Sequence, residues 1–320
     1  MTETKLQERD KTVISKKELD LMVPRLKEQW VGLHRKRPRY LFHYTNALGL
    51  LGILESGRIW ATNSRFMNDP TEITYATGLV RQVMEHELHG KKKRSFAELE
   101  ETVSELLEKY EANAKVYISC FCTKGDLLSQ WRGYGAVGGG YALGFVGRDM
   151  GALEVTSSEQ PEPILRRVIY DQKQQVLILT NWLRGLSILA SERHKTSGAE
   201  RLNRAWREFL LFLSECMNCF KDPAYREEQE WRIIQFGRVG GRDVVNASFR
   251  TGVRHVVPFV KLDLTLTKGR DRGKLPLKHI HYGPTLEPHT TERSLQLLCE
   301  ARGYNKDRLT IGRSGVPFTS

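Results

Sequence analysis

One short stretch, from Leu41 to Glu72, constrains the fold of this chain more than any other part of it. Its sequence, LFHYTNALGLLGILESGRIWATNSRFMNDPTE, predicts a strand, a short helix that Asn46 caps and Gly57 ends, a second strand and a polar loop. Polar side chains gather where these elements end, and element ends are where binding residues are commonly placed. These side chains are His43, Tyr44, Thr45, Asn63, Asn68 and Asp69.

The order of the predicted elements favours an α+β fold. Strands do not alternate regularly with helices, and two long helices are expected in succession between Gln172 and Phe220. A parallel sheet of βαβ units is therefore disfavoured, and antiparallel strands with an inserted helical segment are expected instead. Residues 1–38 are predicted to form an N-terminal tail and helix, and residues 39–320 a single domain with a helical insertion at 171–221.

The composition excludes several classes of protein. Hydrophobic residues make up 40% of the 320 positions, which is enough for a sizeable core. No apolar run approaches the roughly 20 residues that a bilayer-spanning helix needs. The first residues also lack the apolar core of a signal peptide. A cytoplasmic protein with no membrane partner is expected.

The five cysteines allow two interpretations. Two close pairs, Cys120 with Cys122 and Cys216 with Cys219, have a spacing that could hold zinc through four thiolates. The first pair lies on one face of a predicted strand and the second at i, i+3 on a predicted helix, which favours buried small apolar side chains. We therefore expect no metal site, and the odd count argues against a disulfide framework.

The chain carries a surplus of positive charge. Lysine and arginine number 50 against 38 acidic residues, so the formal net charge is +12. Basic residues recur in clusters at positions 35–39, 91–94 and 268–274. Such a surplus favours an acidic partner, such as a nucleic acid or a nucleotide, without identifying it.

A glycine-rich stretch accompanies two aromatic residues in the middle of the chain. Gly133, Gly135 and Gly138 have the spacing of a dinucleotide fingerprint, but a strand follows them where the fingerprint requires a helix. We therefore predict a hairpin or a loop. Trp131 and Tyr134, spaced i, i+3 on a helical turn, offer either a stacking face for a planar ring or core packing.

The segment YREEQEWR brings charged residues to the start of an apolar strand. Glu228 and Glu230 are two positions apart, so on an extended chain they point to one side, together with Arg232. Burying charged groups is costly unless they are well paired, which makes this strand end a candidate site. Proximity would raise the pKa of one carboxyl, and Arg232 would lower it.

Together these segments resemble a widespread bacterial domain family of largely unassigned function that groups by fold with the ADP-ribosyltransferases. The matching pieces span residues 40–315 and include LFHYT, RFMNDPTE, YISCFCT, QWRGY, GYALGF, FKDPAYREEQEWR and HYGP. The opening strand, helix and strand are also similar to those of DNA-targeting ADP-ribosyltransferase toxins. The resemblance implies an ADP-ribosyltransferase-like split β-sheet with inserted helices.

The resemblance also implies roles for the candidate residues, and no metal is required for them. His43 would bind the ribose of NAD, with Tyr44 and Thr45 beside it. Glu230 would be the catalytic residue of a Glu-x-Glu pair, and Glu228 would orient or deprotonate the nucleophile. The other predicted cofactor-binding residues are Asn68, Trp131, Tyr134 and Arg232. The middle strand departs from the family pattern, because it reads Ser-Cys-Phe-Cys where Ser-Thr-Ser is common.

These observations predict an NAD-dependent ADP-ribosyltransferase, acting as a toxin or a phage-defence effector. The positive charge favours a nucleic acid as the acceptor, with RNA preferred to DNA. Two alternatives stay open: a non-catalytic module that binds a nucleotide or a nucleic acid, and an ADP-ribosyltransferase that acts on a protein. An antitoxin or inhibitor protein would be a partner of a toxin.

Overall fold

A computed structural model describes the chain from residue 16 to residue 317, with gaps. The described residues are 16–67, 71–89, 94–134, 140–150, 162–193, 199–239, 242–252, 255–267, 271–285, 287–305 and 307–317. The predicted N-terminal tail, the predicted cofactor contact Asn68 and the glycine-rich stretch 135–139 lie outside the described residues.

Helices and a mixed sheet make up the structure, so the predicted α+β class is confirmed. The helices are α1 Lys16–His34, α2 Ala47–Ser56, α3 Thr71–Leu88, α4 Arg94–Asn113, α5 Leu128–Tyr134, α6 Gln172–Arg193, α7 Ala199–Met217 and α8 Pro288–Ala301. The strands are β1 Tyr40–Thr45, β2 Arg58–Asn63, β3 Val116–Cys122, β4 Tyr141–Val146, β5 Ile164–Arg167, β6 Glu230–Phe236, β7 Arg238–Val239, β8 Arg242–Asp243, β9 Ser248–Thr251, β10 Val256–Asp263, β11 Leu277–Tyr282 and β12 Thr310–Arg313.

The opening segment folds as its capping signals predict. The side chain of Asn46 accepts a hydrogen bond from the Gly49 N–H at 2.9 Å, which satisfies one of the unpaired donors at the start of α2. Gly57 ends the helix in the left-handed conformation, with φ at 66°, where a residue without a side chain is favoured. This short helix connects β1 to β2.

The main sheet has the strand order β12-β11-β4-β1-β3-β2-β10-β9, and it divides at β3. Along one edge β3 pairs antiparallel with β6 from Val116 to Cys122, and β6 in turn pairs with β5. A strand has two edges, so β1 and β2 share the other edge of β3. There β1 pairs at Cys122, and β2 pairs at Tyr117 and Ile118. Residues 119–121 therefore border a gap between β1 and β2, which we call the fork.

Strand pairing assigns side chains to the two faces of the sheet, since successive residues alternate between them. Cys122 lies opposite both Phe42 of β1 and Glu230 of β6, so these three share one face, which we call the Glu230 face. Thr62 of β2 joins the same face, because it pairs with Ile118.

Two large apolar clusters cover the two faces. The first contains buried residues of α3, α4, α6 and α7 and reaches the Glu230 face at Ile118 and Ile234. The second packs α2 and α8 against the opposite face, called the Phe121 face, where it includes Leu41, Phe121 and Ile233. Among the described residues, no helix is long and apolar enough to cross a membrane.

Candidate active site

The start of β6 carries a buried cluster of charged side chains around Arg232. This residue is only 1% exposed. Its Nε donates to Glu230 Oε1 at 2.9 Å, and its Nη2 donates to Glu230 Oε2 at 2.9 Å and to Glu72 Oε2 at 2.7 Å. Nη1 donates to the Asn218 carbonyl at 2.9 Å. Arg232 is thus used within the protein, in place of the cofactor contact predicted for it.

Lys221 is the second buried cation of the cluster. Its Nζ lies 2.7 Å from Glu228 Oε2, 2.9 Å from Glu72 Oε1 and 3.2 Å from Glu230 Oε2. The same ammonium lies 4.8 Å from the centre of the Tyr225 ring, which adds a cation–π contact. Glu72, Glu228 and Glu230 face Lys221 and Arg232, so the ionised cluster carries one net negative charge.

The local backbone separates the two carboxylates of the Glu-x-Glu pair. Residues Pro223–Glu228 form a 3₁₀-helix, Gln229 adopts φ 44° and ψ 50°, and β6 begins only at Glu230. The prediction that Glu228 and Glu230 lie on one strand face is therefore wrong, because the left-handed Gln229 breaks the alternation between them. Both carboxylates still meet, since Lys221 binds each of them.

The two carboxyl groups have pKa values displaced in opposite directions. Burial alone would raise the pKa of Glu230, but the charges of Arg232 and Lys221 outweigh it and lower that pKa to about 2. Burial raises the pKa of Glu228, and its attraction to Lys221 only partly opposes this rise. Glu230 is therefore a permanent carboxylate, and Glu228 is the group suited to exchange a proton.

His43 lies in the fork and contacts the strand that carries Cys120. Its ring Nδ1 is 2.9 Å from the Cys120 carbonyl oxygen. A carbonyl only accepts, so Nδ1 carries the proton. Burial lowers the pKa of His43 below 6.5 and keeps the ring neutral. The side chain of Cys120 lies near the Glu230 carboxylate, while its carbonyl contacts His43, so one residue of β3 lies beside both.

His43 and Glu230 do not project to the same face of the sheet. The His43 ring lies 5.5 Å from the Phe121 ring, whereas Glu230 is opposite Cys122 on the Glu230 face. The structure places both on neighbouring parts of β3, but it does not direct both side chains into one described cavity. In the described structure β3 lies between them, because His43 contacts β3 from the fork and Glu230 lies on β6 along the other edge of β3.

Tyr44 and Trp131 are buried, and their polar atoms are used inside the protein. The Tyr44 hydroxyl donates to the Lys124 carbonyl and accepts from the Leu127 N–H, both at 3.0 Å. Trp131 donates from Nε1 to Asp126 at 2.7 Å, and its ring packs 4.8 Å from that of Tyr44. These contacts assign both residues to the support of α5, in place of the predicted contact with a cofactor.

Tyr134 and Thr45 are more accessible than their neighbours. Tyr134 is 37% exposed at the end of α5. Desolvation raises the pKa of its hydroxyl, and the nearby Cys120 and Glu230 add to the rise. Tyr134 thus lies beside the ion cluster with part of its ring open to solvent. Half-buried Thr45 packs against the first turn of α2, because a Cβ at Gly49 would lie 1.9 Å from its Oγ1.

Sequence reasoning missed two members of the cluster, Lys221 and Glu72. Glu72 marks only the end of the opening stretch, and Lys221 is one of 50 basic residues. Their meeting at Arg232 depends on the packing of α3 against the end of α7, which no short motif encodes. In the described part of the chain, no group of His, Cys, Asp and Glu side chains is arranged to hold a metal ion.

Comparison with protein families gave one match that overlaps the cluster. A family model described as a protein of unknown function, DUF2971, matches residues 130–233. This stretch contains Lys221, Glu228, Glu230 and Arg232, and it excludes His43. Comparisons with curated proteins and with solved structures gave no match. The chemistry of the cluster therefore rests on its own geometry.

Proposed function

We propose that this chain is an NAD-dependent ADP-ribosyltransferase whose catalytic pair is Glu228 and Glu230. The observation that carries the proposal is the opposite displacement of their two pKa values at one strand end. A pair of carboxyl groups with separated pKa values is the arrangement that lets one act as a fixed charge and the other as an acid or base.

The proposed reaction replaces the bond between the ribose C1′ and the nicotinamide nitrogen. As that bond breaks, its electron pair leaves with nicotinamide, and positive charge develops on the ribose, as in glycoside cleavage. The net negative charge of the cluster, centred on Glu230, stabilises this charge. An O–H or N–H group of the acceptor then attacks C1′, and Glu228 accepts its proton.

We place NAD binding at the fork, where His43 and Thr45 lie on the Phe121 face and Tyr134 lies near Glu230 on the other face. Neutral His43 offers Nε2 as an acceptor for a ribose hydroxyl, since Nδ1 is used by Cys120. The exposed part of the Tyr134 ring offers a stacking face for nicotinamide. Thr45 lies two residues beyond His43 on the same strand face and adds a hydroxyl.

The acceptor in this proposal is a nucleic acid, with RNA preferred to DNA, because the net charge is +12. A protein acceptor is the alternative. An enzyme of this kind would act as a toxin or a phage-defence effector and would require an antitoxin or inhibitor protein. The cellular test is expression of the native chain beside Glu228→Gln, and growth arrest by the native chain alone supports this role.

A non-catalytic module that binds a nucleotide or nucleic acid is the second candidate, and one observation favours it. Glu230 is only 3% exposed, and Arg232 and Lys221 already occupy its oxygens. A carboxylate so fully paired resembles the centre of a buried structural network. The two candidates differ in whether nicotinamide is released.

The decisive measurement is nicotinamide release from NAD by the purified protein, alone and with RNA, DNA or a cell lysate. Glu228→Gln should remove the release, and Glu227→Gln is the matched control. Glu227 is exposed and adjacent, and it contributes no ion pair to the cluster. Labelled NAD identifies the acceptor, because the label appears on nucleic acid or on protein. Absence of nicotinamide release with every acceptor would favour the binding module.

A further inference from the structure

The Glu230 face continues beyond the fork onto β2, β10 and β9, and there it is open to solvent. Strand β2 alternates between the exposed Arg58 and Trp60 and the buried Ile59 and Ala61. On β10 the exposed Lys261 pairs with Trp60. The buried Ile59 and Ala61 pack into the second apolar cluster on the Phe121 face. Trp60 alternates with them along β2, so Trp60 and its partner Lys261 belong to the Glu230 face.

An exposed aromatic ring at the centre of this face is held in a fixed orientation. Trp60 is 38% exposed, and its ring lies 4.5 Å from the buried Phe259 ring at an angle of 33°. The Arg250 guanidinium of β9 lies 6.0 Å from the Trp60 ring centre. One edge of the ring lies beside α2, 3.9 Å from the position of a Cβ at Gly52, and the rest is partly exposed. A partly exposed planar ring held by such contacts can stack an unstacked base.

The charged groups around Trp60 are mainly basic. Arg58 and Lys261 are exposed on either side of the ring, and Arg250 donates from Nη2 to Thr62 at 3.0 Å. Among the described residues, the Nε–H of Arg250 is buried without a hydrogen-bond partner. The acidic neighbour Asp263 is already bonded by Thr265. The surface complements a polyanion that also carries planar rings.

We propose that this face of β2, β9 and β10, the Trp60 platform, binds single-stranded RNA. Trp60 stacks on one base, and Lys261 and Arg250 contact the backbone phosphates. Proteins recognise RNA chiefly at single-stranded segments, whose unstacked bases lie on aromatic rings and arginine planes. The proposal rests on the nucleic-acid acceptor of the proposed function, and it requires no turnover of NAD.

The platform also has a defined relation to the proposed catalytic pair. Thr62 pairs with Ile118, and Cys122 pairs with Glu230, so Trp60 and Glu230 belong to the same face, with β3 between their strands. The first apolar cluster covers that face at Ile118 and Ile234, and Glu230 is 3% exposed, so an RNA strand lying on Trp60 would end at the fork. The platform would deliver the acceptor to the edge of the fork.

The test measures binding of a labelled single-stranded RNA of about 12 nucleotides, within the range that such surfaces cover, by fluorescence anisotropy without NAD. Trp60→Ala should weaken binding about tenfold, as expected for loss of one stacked base. Phe249→Ala is the matched control. Phe249 is 68% exposed on the same sheet edge, but it projects to the Phe121 face, since it pairs with Pro258. Equal weakening by the two substitutions would overturn the platform.

A salt titration separates the contribution of stacking from that of phosphate contact. It also gives a second test of the platform that does not depend on the folding of Trp60→Ala. Lys261→Gln, at an exposed position, should reduce the slope of log K against log salt by about 0.7, the value for one phosphate contact on a single strand. Trp60→Ala should leave the slope unchanged. A slope that Lys261→Gln does not change would refute the phosphate contact.

Competitors identify the polymer. Unlabelled RNA of the same sequence should displace the probe better than single-stranded DNA, duplex RNA or poly-glutamate. Displacement by DNA or poly-glutamate at equal or lower concentration overturns the assignment to RNA. Glu228→Gln distinguishes failure of the two proposals, because it should keep RNA binding while nicotinamide release is lost. A native chain that binds RNA through Trp60 without releasing nicotinamide would refute the enzyme and retain the platform.

Discussion

Glu228 and Glu230 share one ammonium group, that of Lys221, yet burial and pairing displace their pKa values in opposite directions. The difference arises from Arg232, which donates two hydrogen bonds to Glu230 and none to Glu228 in the described structure. Glu230 is thereby held in its charged form, whereas Glu228 lies at the margin of the cluster. This asymmetry distinguishes the start of β6 from an ordinary surface ion pair.

The first prediction concerns stability at this cluster. Glu230→Gln leaves Arg232 and Lys221 buried with one carboxylate fewer, so the free energy of unfolding should fall by about 3–5 kcal/mol. The exposed control Glu227→Gln should change it by less than about 0.5 kcal/mol. Urea unfolding measures both. A loss at Glu230→Gln no larger than that of the control would show that the cluster contributes nothing to folding.

The second prediction concerns acid. The folded-state pKa of Glu230 is lowered from 4.5 to about 2, so its contribution is present above 4.5 and disappears as pH falls through about 2. The stability difference between the native chain and Glu230→Gln should therefore shrink over this range. The ionised carboxylate of Glu228 affects stability in the opposite direction, because its pKa is raised in the folded protein. Glu228→Gln should accordingly be no less stable than the native chain at neutral pH. Unfolding curves at a series of pH values test both signs.

The third prediction concerns His43. Burial holds its pKa below 6.5, and the proposed NAD contact uses the neutral ring. His43→Ala should weaken NAD binding by more than it lowers the melting temperature. In the native chain, NAD affinity should be constant from about pH 6.5 to 8, the upper part of the range in which an unperturbed histidine titrates. Calorimetric titration gives both results, and a steep change in affinity over that range would mean that His43 titrates.

The fourth prediction concerns Tyr134, whose ring is the accessible aromatic face beside Glu230. Tyr134→Ala should weaken NAD binding by about 0.5–1.5 kcal/mol, the usual contribution of an aromatic pair. Tyr134→Phe keeps the ring and should bind NAD as the native chain does. If Tyr134→Phe is as weak as Tyr134→Ala, the hydroxyl matters and stacking is not the source of the affinity.

The local parts of this architecture were predictable from the sequence, because short-range signals determine them. Asn46 and Gly57 limit α2 as their residue types predict. The sequence also locates the Glu-x-Glu pair at the start of a strand, but it does not predict how the two side chains are oriented. Gln229 adopts a left-handed conformation, which a glutamine does not predict, and this turns Glu228 away from the strand.

The partners of the pair could not be predicted, because they converge only through tertiary packing. Glu72 is 160 residues from Arg232 in the chain and contacts it directly at 2.7 Å. Burial also bears on two aromatic residues. Tyr44 was expected beside a cofactor and Trp131 either beside a cofactor or in the core, and in the structure both are buried with their rings in contact. A single sequence does not distinguish an aromatic residue in a site from one that supports it.

The last prediction tests the packing of the fork itself, where Thr45 meets α2. A Cβ at Gly49 would lie 1.9 Å from Thr45 Oγ1, whereas one at Gly52 of the same helix would meet only the Trp60 ring at 3.9 Å. Gly52→Ala should therefore stabilise the protein by about 0.5–1 kcal/mol through helix propensity. Gly49→Ala should give no such gain, because the Thr45 hydroxyl must move away.

A double-mutant cycle isolates this contact. In a Thr45→Ala background the obstructing oxygen is absent, although the Cβ of residue 45 still lies 3.2 Å away, so Gly49→Ala should recover part of the gain seen at Gly52. Urea unfolding of the four proteins of the cycle measures the coupling between the two positions. A coupling near zero would place Thr45 away from the first turn of α2. The close contact between Thr45 and α2, and with it the geometry proposed for ribose binding at the fork, would then have to be abandoned.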